Sequence, residues 1–128
     1  MHSMMEYRGV IGKILAVILI GALMLPLVGC TAPAATGREI RIAASEFKFE
    51  PREIRVKAGE TVSFVIVNTG MIDHEFESDD AKIAEVTIPP GRQRVVHWKA
   101  PARPGEYAFV CDLPGHKDAG MVGKIIVK

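Results

Sequence analysis

Cysteine is scarce in this chain of 128 residues: only Cys30 and Cys111 occur, and Cys30 closes an apolar N-terminal stretch, so the remainder holds a single thiol. A strong charge of either sign is missing as well. The formal net charge is +1, with 16 basic and 15 acidic residues, which excludes the basic excess expected of a nucleic-acid binder. Past residue 38 no segment carries an apolar period of 3.6, which argues against a helical domain. No internal repeat occurs either, which excludes a solenoid.

The N-terminal stretch has the parts of an export signal: Arg8 and Lys13 form a positive region, Ile14 to Leu25 an apolar run, and small residues precede Cys30. The apolar span from Val10 to Val28 also approaches the roughly 20 residues that cross a bilayer, so a retained membrane helix stands as the alternative. Gly12, Lys13, Gly21 and Pro26 weaken it. "LVGC" at Leu27 to Cys30 resembles the lipobox of bacterial lipoproteins, and the resemblance implies cleavage before a lipid-modified Cys30. The expected organisation is a signal peptide over 1–29, a small-residue tether over 30–37 ("TAPAATG" follows Cys30) and one domain over 38–128. Cleavage removes Glu6, Arg8 and Lys13, leaving 14 basic and 14 acidic residues and no net charge.

Within the domain, short runs separated by turn signals predict strands: "EIRIAA", "EIRVKAGE", "TVSFVIVN", "RQRVVHWKA", "GEYAFVC" and "VGKIIVK", with a further short strand at Glu85 to Ile88. Ile54 and Val56 share one face of their run. "TVSFVIVN" is apolar on both phases beyond Phe64, as a central strand is. "KAGE" supplies the turn between them, and the prolines sit between runs, where they cost no ladder hydrogen bond. A domain of about 90 residues suits one core between two sheets.

The lone thiol lies in "CDLPGHKDAGM", with His116 five positions on and Met121 five beyond that. Outside the cytoplasm a leftover thiol is normally paired or put to use; the bland alternative is an inert buried cysteine. Tyr107, Phe109 and Cys111 share a face, so the thiol points inward at the end of its strand if the two aromatics are core. Pro114-Gly115 then turns the chain, and "KDAG" brings Met121 back before the last strand. Sulfur combined with imidazole selects copper or zinc over calcium or magnesium. A fourth donor must come from elsewhere. His2 leaves with the signal, and His97 lies mid-strand in "VVHWKA", where a structural role is favoured. His74, in "NTGMIDHEF", stands at a turn after the central strand. The candidate ligand set is His74, Cys111, His116 and Met121.

A cysteine and two histidines with a distant methionine match a type 1 copper arrangement. "NTGMIDHEF" and "YAFVCDLPGHKDAGMVGKIIV" resemble the two ligand segments of the cupredoxins, the plastocyanin and azurin family, over about Arg38 to Lys128. The Cys-to-His gap is like that of azurin and the His-to-Met gap like that of plastocyanin, which leaves the subfamily open. The resemblance implies an all-β Greek-key β-sandwich of about seven to eight strands, one mononuclear type 1 copper ion, and single-electron transfer rather than enzymatic turnover. It implies that Asn68 pins the loop of the first histidine to that of the second; an ordinary turn asparagine is the equal alternative. Pro114, without an amide proton, cannot donate a hydrogen bond to the sulfur. His116 should lie nearest the surface within an apolar rim of Met71, Ile72, Leu113, Pro114 and Ala119. There a redox protein such as a cytochrome or an oxidase would dock weakly. Asp73, Glu75, Glu77, Asp79, Asp80, Asp112 and Asp118 surround this rim, more as a solvated loop face than as a steering patch. A monomer tethered by lipid to the outer face of the membrane, or periplasmic, is expected.

The rival from another class is a copper-binding protein for storage, delivery or resistance that uses the same ligands without redox cycling; Met71 keeps it open. An enzyme is disfavoured because only His97 remains for a second site. A dinuclear copper centre would need a second cysteine in the loop.

Overall fold

The computed structural model describes residues 37–128. The proposed signal peptide, Cys30 and all of the tether but Gly37 lie outside the described residues. Among the described residues nine strands follow in order: β1 (Arg38–Ser45), β2 (Lys48–Glu50), β3 (Glu53–Val56), β4 (Thr61–Asn68), β5 (His74–Ser78), β6 (Ile83–Ile88), β7 (Gln93–Lys99), β8 (Gly105–Val110) and β9 (Val122–Val127). They form a four-stranded sheet, β2-β1-β4-β7, and a five-stranded sheet, β3-β9-β8-β5-β6. The all-β sandwich read from the sequence is the observed fold.

β4 is central, parallel to β1 and antiparallel to β7. Its apolar run is accordingly buried on both faces: Val62, Phe64 and Ile66 look into the sandwich, while Val65 on the other phase is 4% exposed. Ile54 and Val56 are buried together on β3, as their alternation requires. Lys57 accepts the Glu60 amide at 3.0 Å, closing the "KAGE" turn, and Gly59 takes the left-handed conformation there.

Two strands were not legible as such. β2 is three residues long and buries only Phe49, too little to register an alternation. β5 does alternate, but its buried face is His74, Phe76 and Ser78, so polar residues mask the period. These two raise the count to nine, against the seven to eight expected, and β6 begins at Ile83 rather than at Glu85.

The core is aromatic where the sheets meet. Phe76 contacts Phe109 at 5.1 Å and Phe64 at 5.8 Å between centroids, and Phe64 reaches Trp98 at 5.7 Å. Removing one such ring costs about 3–5 kcal/mol. The Trp98 indole N–H donates to the Ala81 carbonyl at 2.8 Å, which satisfies its one polar atom. This slab fixes β5 and β8 as neighbours, with Glu77 opposite Val110, and so decides what meets at their ends.

Candidate metal centre

β8 and β9 are antiparallel, and Val110 faces Val122. The segment between them, 111–121, is therefore a closed hairpin loop. The Cys111 amide donates to the Met121 carbonyl at 3.1 Å, and the Met121 amide to the His116 carbonyl at 3.0 Å. Inside the loop His116 donates its amide to Leu113 at 2.9 Å, closing the turn that contains Pro114 and Gly115. Gly115 has φ 82°, which favours glycine there. Three potential donors on one loop are thus held by the loop's own backbone.

His74 opens β5, next to β8. The following amide, that of Glu75, donates to the Cys111 sulfur at 3.3 Å, and the same sulfur lies 3.3 Å from His116 Nδ1. The imidazoles of His74 and His116 stand 5.3 Å apart, inclined at 63°. One donor atom from each of His74, Cys111 and His116 falls within 4.8 Å of the others. His74, Cys111 and Met121 are 0% exposed and His116 is 9% exposed, so His116 is the outermost of the four. The structure brings together three of the four residues that the sequence reading grouped, and Met121 is buried at the end of the same loop, its backbone bonded to Cys111 and His116. His97 stands apart on β7, exposed, with Nδ1 2.8 Å from the Ser63 hydroxyl.

Both ring nitrogens of His74 are buried without a hydrogen-bond partner. A buried polar group left this way costs about 1–3 kcal/mol, and a fold does not keep two on one ring without a compensating partner. A metal ion is such a partner for one of them. Burial also pushes the His74 pKa below its ordinary value, with repulsion from His116 adding and Glu46 and Asp73 opposing. The shift favours the neutral ring, the form that ligates. Burial pushes the Cys111 thiol up, with the Glu75 and Leu113 amides opposing and the Glu75 and Asp112 charges adding. A buried thiol that resists ionisation in water's absence becomes a thiolate readily beside a cation. The donor set, soft sulfur with two imidazoles and a buried thioether nearby, fits one mononuclear type 1 copper ion.

Asn68 is 1% exposed and fully used. Its Nδ2 donates to the carbonyls of Ile72 and Ile88, each at 2.7 Å, and its Oδ1 accepts the Gly70 amide at 2.8 Å. It does pin the loop that delivers His74. The anchor is the end of β6, however, and not the second ligand loop, because the side chain lies under 70–72 with Ile88 directly opposite His74.

Of the residues expected at the rim, Met71 is 87% exposed, Ile72 is 41% exposed, Leu113 is half-buried, and Pro114 and Ala119 are exposed. Phe47 lies against His116 and was missed. Its ring meets His116 edge-on at 5.2 Å, and its φ of 61° is rare for a bulky side chain. Glu46, beside it in the same turn, also contributes: its carboxylate accepts the Met71 amide. No local pattern announces either contact, since both depend on the β1–β2 turn lying beside the loop of His74. Glu77, Asp79, Asp80 and Asp112 line a cleft of about 240 Å³ with Lys117. Burial and neighbouring carboxylates push Glu75 and Glu77 above the usual carboxylate range.

A family model described as a cupredoxin-like domain matches residues 15–127. The "Copper-resistant cuproprotein CopI" of Rubrivivax gelatinosus is 32% identical over 115 residues, covering 74% of this chain and 69% of that protein. The chloroplastic plastocyanin of Chlamydomonas reinhardtii is 34% identical over 89 residues, covering 63% of this chain and 59% of the relative. Among solved structures, reduced auracyanin from Roseiflexus castenholzii superposes with a TM-score of 0.64 at 24% identity, over 72% of this chain and 98% of its own.

Proposed function

Because the chain belongs to the cupredoxin-like family, we propose that it carries single electrons through a type 1 copper site formed by His74, Cys111, His116 and Met121. The observation that carries this reading is the buried convergence of one thiol and two imidazoles, with both His74 nitrogens left without protein partners. Copper supplies the one-electron couple when bound. The protein's part is to hold the donors in one arrangement for both oxidation states. Backbone hydrogen bonds fix Cys111, His116 and Met121 to one another, and Asn68 and Glu46 fix the approach to His74. Cys111 serves as thiolate and as the main electronic path into the protein. His116, with Phe47, Met71 and Ile72 around it, is the face at which a redox protein docks. In this reading the chain is a monomer and not an enzyme, exported and held at the outer face of the membrane through lipid on Cys30.

Two observations favour a second reading, copper resistance or delivery: the relative named for copper resistance is 32% identical, and Met71 places an exposed thioether in the segment just before His74. The two readings separate in one experiment. The full chain is loaded with cupric ion and cycled between dithionite and ferricyanide in the presence of a cuprous chelator. A carrier regains its full visible absorption after each cycle. Loss of copper to the chelator at the first reduction would favour delivery and overturn the carrier reading.

A further inference from the structure

Met121 is the central residue of a three-residue turn. The Val122 amide donates to the Gly120 carbonyl at 2.8 Å, and Met121 is not left-handed, which makes this the common inverse γ-turn of strand starts. Both outer carbonyls of that turn are gripped by one side chain from a distant part of the sequence. Arg52 donates from Nη2 to the Gly120 carbonyl at 3.0 Å and from Nε to the Val122 carbonyl at 3.3 Å. Its own carbonyl accepts the Lys124 amide at 2.8 Å, so the main chain of Arg52 is fixed against β9 while its guanidinium folds back over the strand's first residues. Gly123 permits this approach: a Cβ there would lie 2.8 Å from the Arg52 carbonyl and collide with the Phe109 ring.

We infer that Arg52 is a positioning residue for the thioether of Met121, locking the turn that sets how far the sulfur stands from the copper plane. The inference rests on the reading of Met121 as axial ligand. A thioether at the axial position is a weak, long donor, so the backbone rather than the metal fixes its distance. The loop side of Met121 is already tied, amide to His116 and carbonyl to Cys111; Arg52 supplies the tie on the strand side. No other described side-chain hydrogen bond reaches either carbonyl. The rigid, planar fork of arginine presents two donors at fixed spacing, which a lysine ammonium does not reproduce.

The test compares the full chain with Arg52→Lys and Arg52→Gln, and with Met121→Leu as reference. Visible absorption and reduction potential are read on the copper-loaded proteins, and amide hydrogen exchange on the metal-free ones. Arg52→Gln, whose shorter amide can keep at most one of the two bonds, is expected to speed exchange at Cys111 and Met121 by about tenfold or more, the loss of at least one charge-assisted hydrogen bond. It should also change the intensity ratio of the thiolate charge-transfer bands and shift the potential in the sense that Met121→Leu does. Arg52→Lys, which keeps charge and stem and therefore the fold, should show the same changes in smaller measure. Arg52 variants with lowered thermal stability but unaltered spectrum and potential would overturn the inference, leaving an ordinary surface hold. Should Met121→Leu itself move neither spectrum nor potential, the axial reading fails, and the inference fails with it.

Discussion

The amide of Glu75 donates a hydrogen bond to the sulfur of Cys111 at 3.3 Å, from a strand 36 positions earlier in the chain. The residue beside one proposed ligand thus tunes another. A donor to the sulfur stabilises the electron-rich thiolate and draws charge away from the metal, favouring the reduced state. Glu75→Pro removes that amide proton. If the bond is worth about 1 kcal/mol more in one oxidation state, the potential should fall by about 40 mV, with strong colour retained. Voltammetry on the copper-loaded chain checks this.

His74 carries the clearest trade between stability and function. His74→Leu replaces two unsatisfied buried nitrogens with apolar atoms of similar volume. The metal-free chain should become more stable by about 1–3 kcal/mol, read as an upward shift in denaturant midpoint at unchanged slope. Copper affinity should fall by more than the roughly 10–100-fold typical of losing an outer-sphere partner.

Asn68→Ala leaves the buried Ile88 carbonyl, the Ile72 carbonyl and the Gly70 amide without this side chain's hydrogen bonds. The expected cost is about 1–3 kcal/mol in the metal-free chain, chiefly from the buried Ile88 carbonyl left unpaired. Copper affinity should drop about 10–100-fold as the loop before His74 loosens. Denaturant unfolding and competitive copper titration measure the two effects.

The depressed pKa of His74 sets a pH dependence in the metal-free protein. The folded state resists the proton, so below the ordinary histidine value of 6.5 the unfolded chain binds more protons than the folded one. Stability is therefore retained above about pH 6.5 and lost as pH falls below it. Copper on the ring removes the proton site in the folded state. Thermal midpoints between about pH 7.5 and about pH 5.5, roughly one unit either side of the ordinary histidine value, should fall steadily for the metal-free chain and be higher throughout with copper bound.

What could be read from the sequence was what depends on neighbours in the chain. The loop 111–121 is closed by adjacent antiparallel strands, so Cys111, His116 and Met121 meet through local geometry, and their spacing shows it. Ile54, Val56 and the β4 run declare their burial by period. His74 was separable from His97 because one ends a turn and the other lies within a strand whose outer face holds it against Ser63. The contacts that escaped are tertiary. Phe47 reaches His116 from a conformation its side chain disfavours, and Arg52 acts on a turn 68 positions away. The strand carrying His74 hid because two of its three buried side chains, His74 and Ser78, are polar and only Phe76 is apolar.

X-ray absorption at the copper edge of the metal-loaded full chain tests the central claim most directly. The account predicts one short bond to sulfur and two to imidazole nitrogen, with the sulfur bond absent in Cys111→Ser. A first shell of nitrogen and oxygen alone, or one unchanged by that substitution, would contradict it.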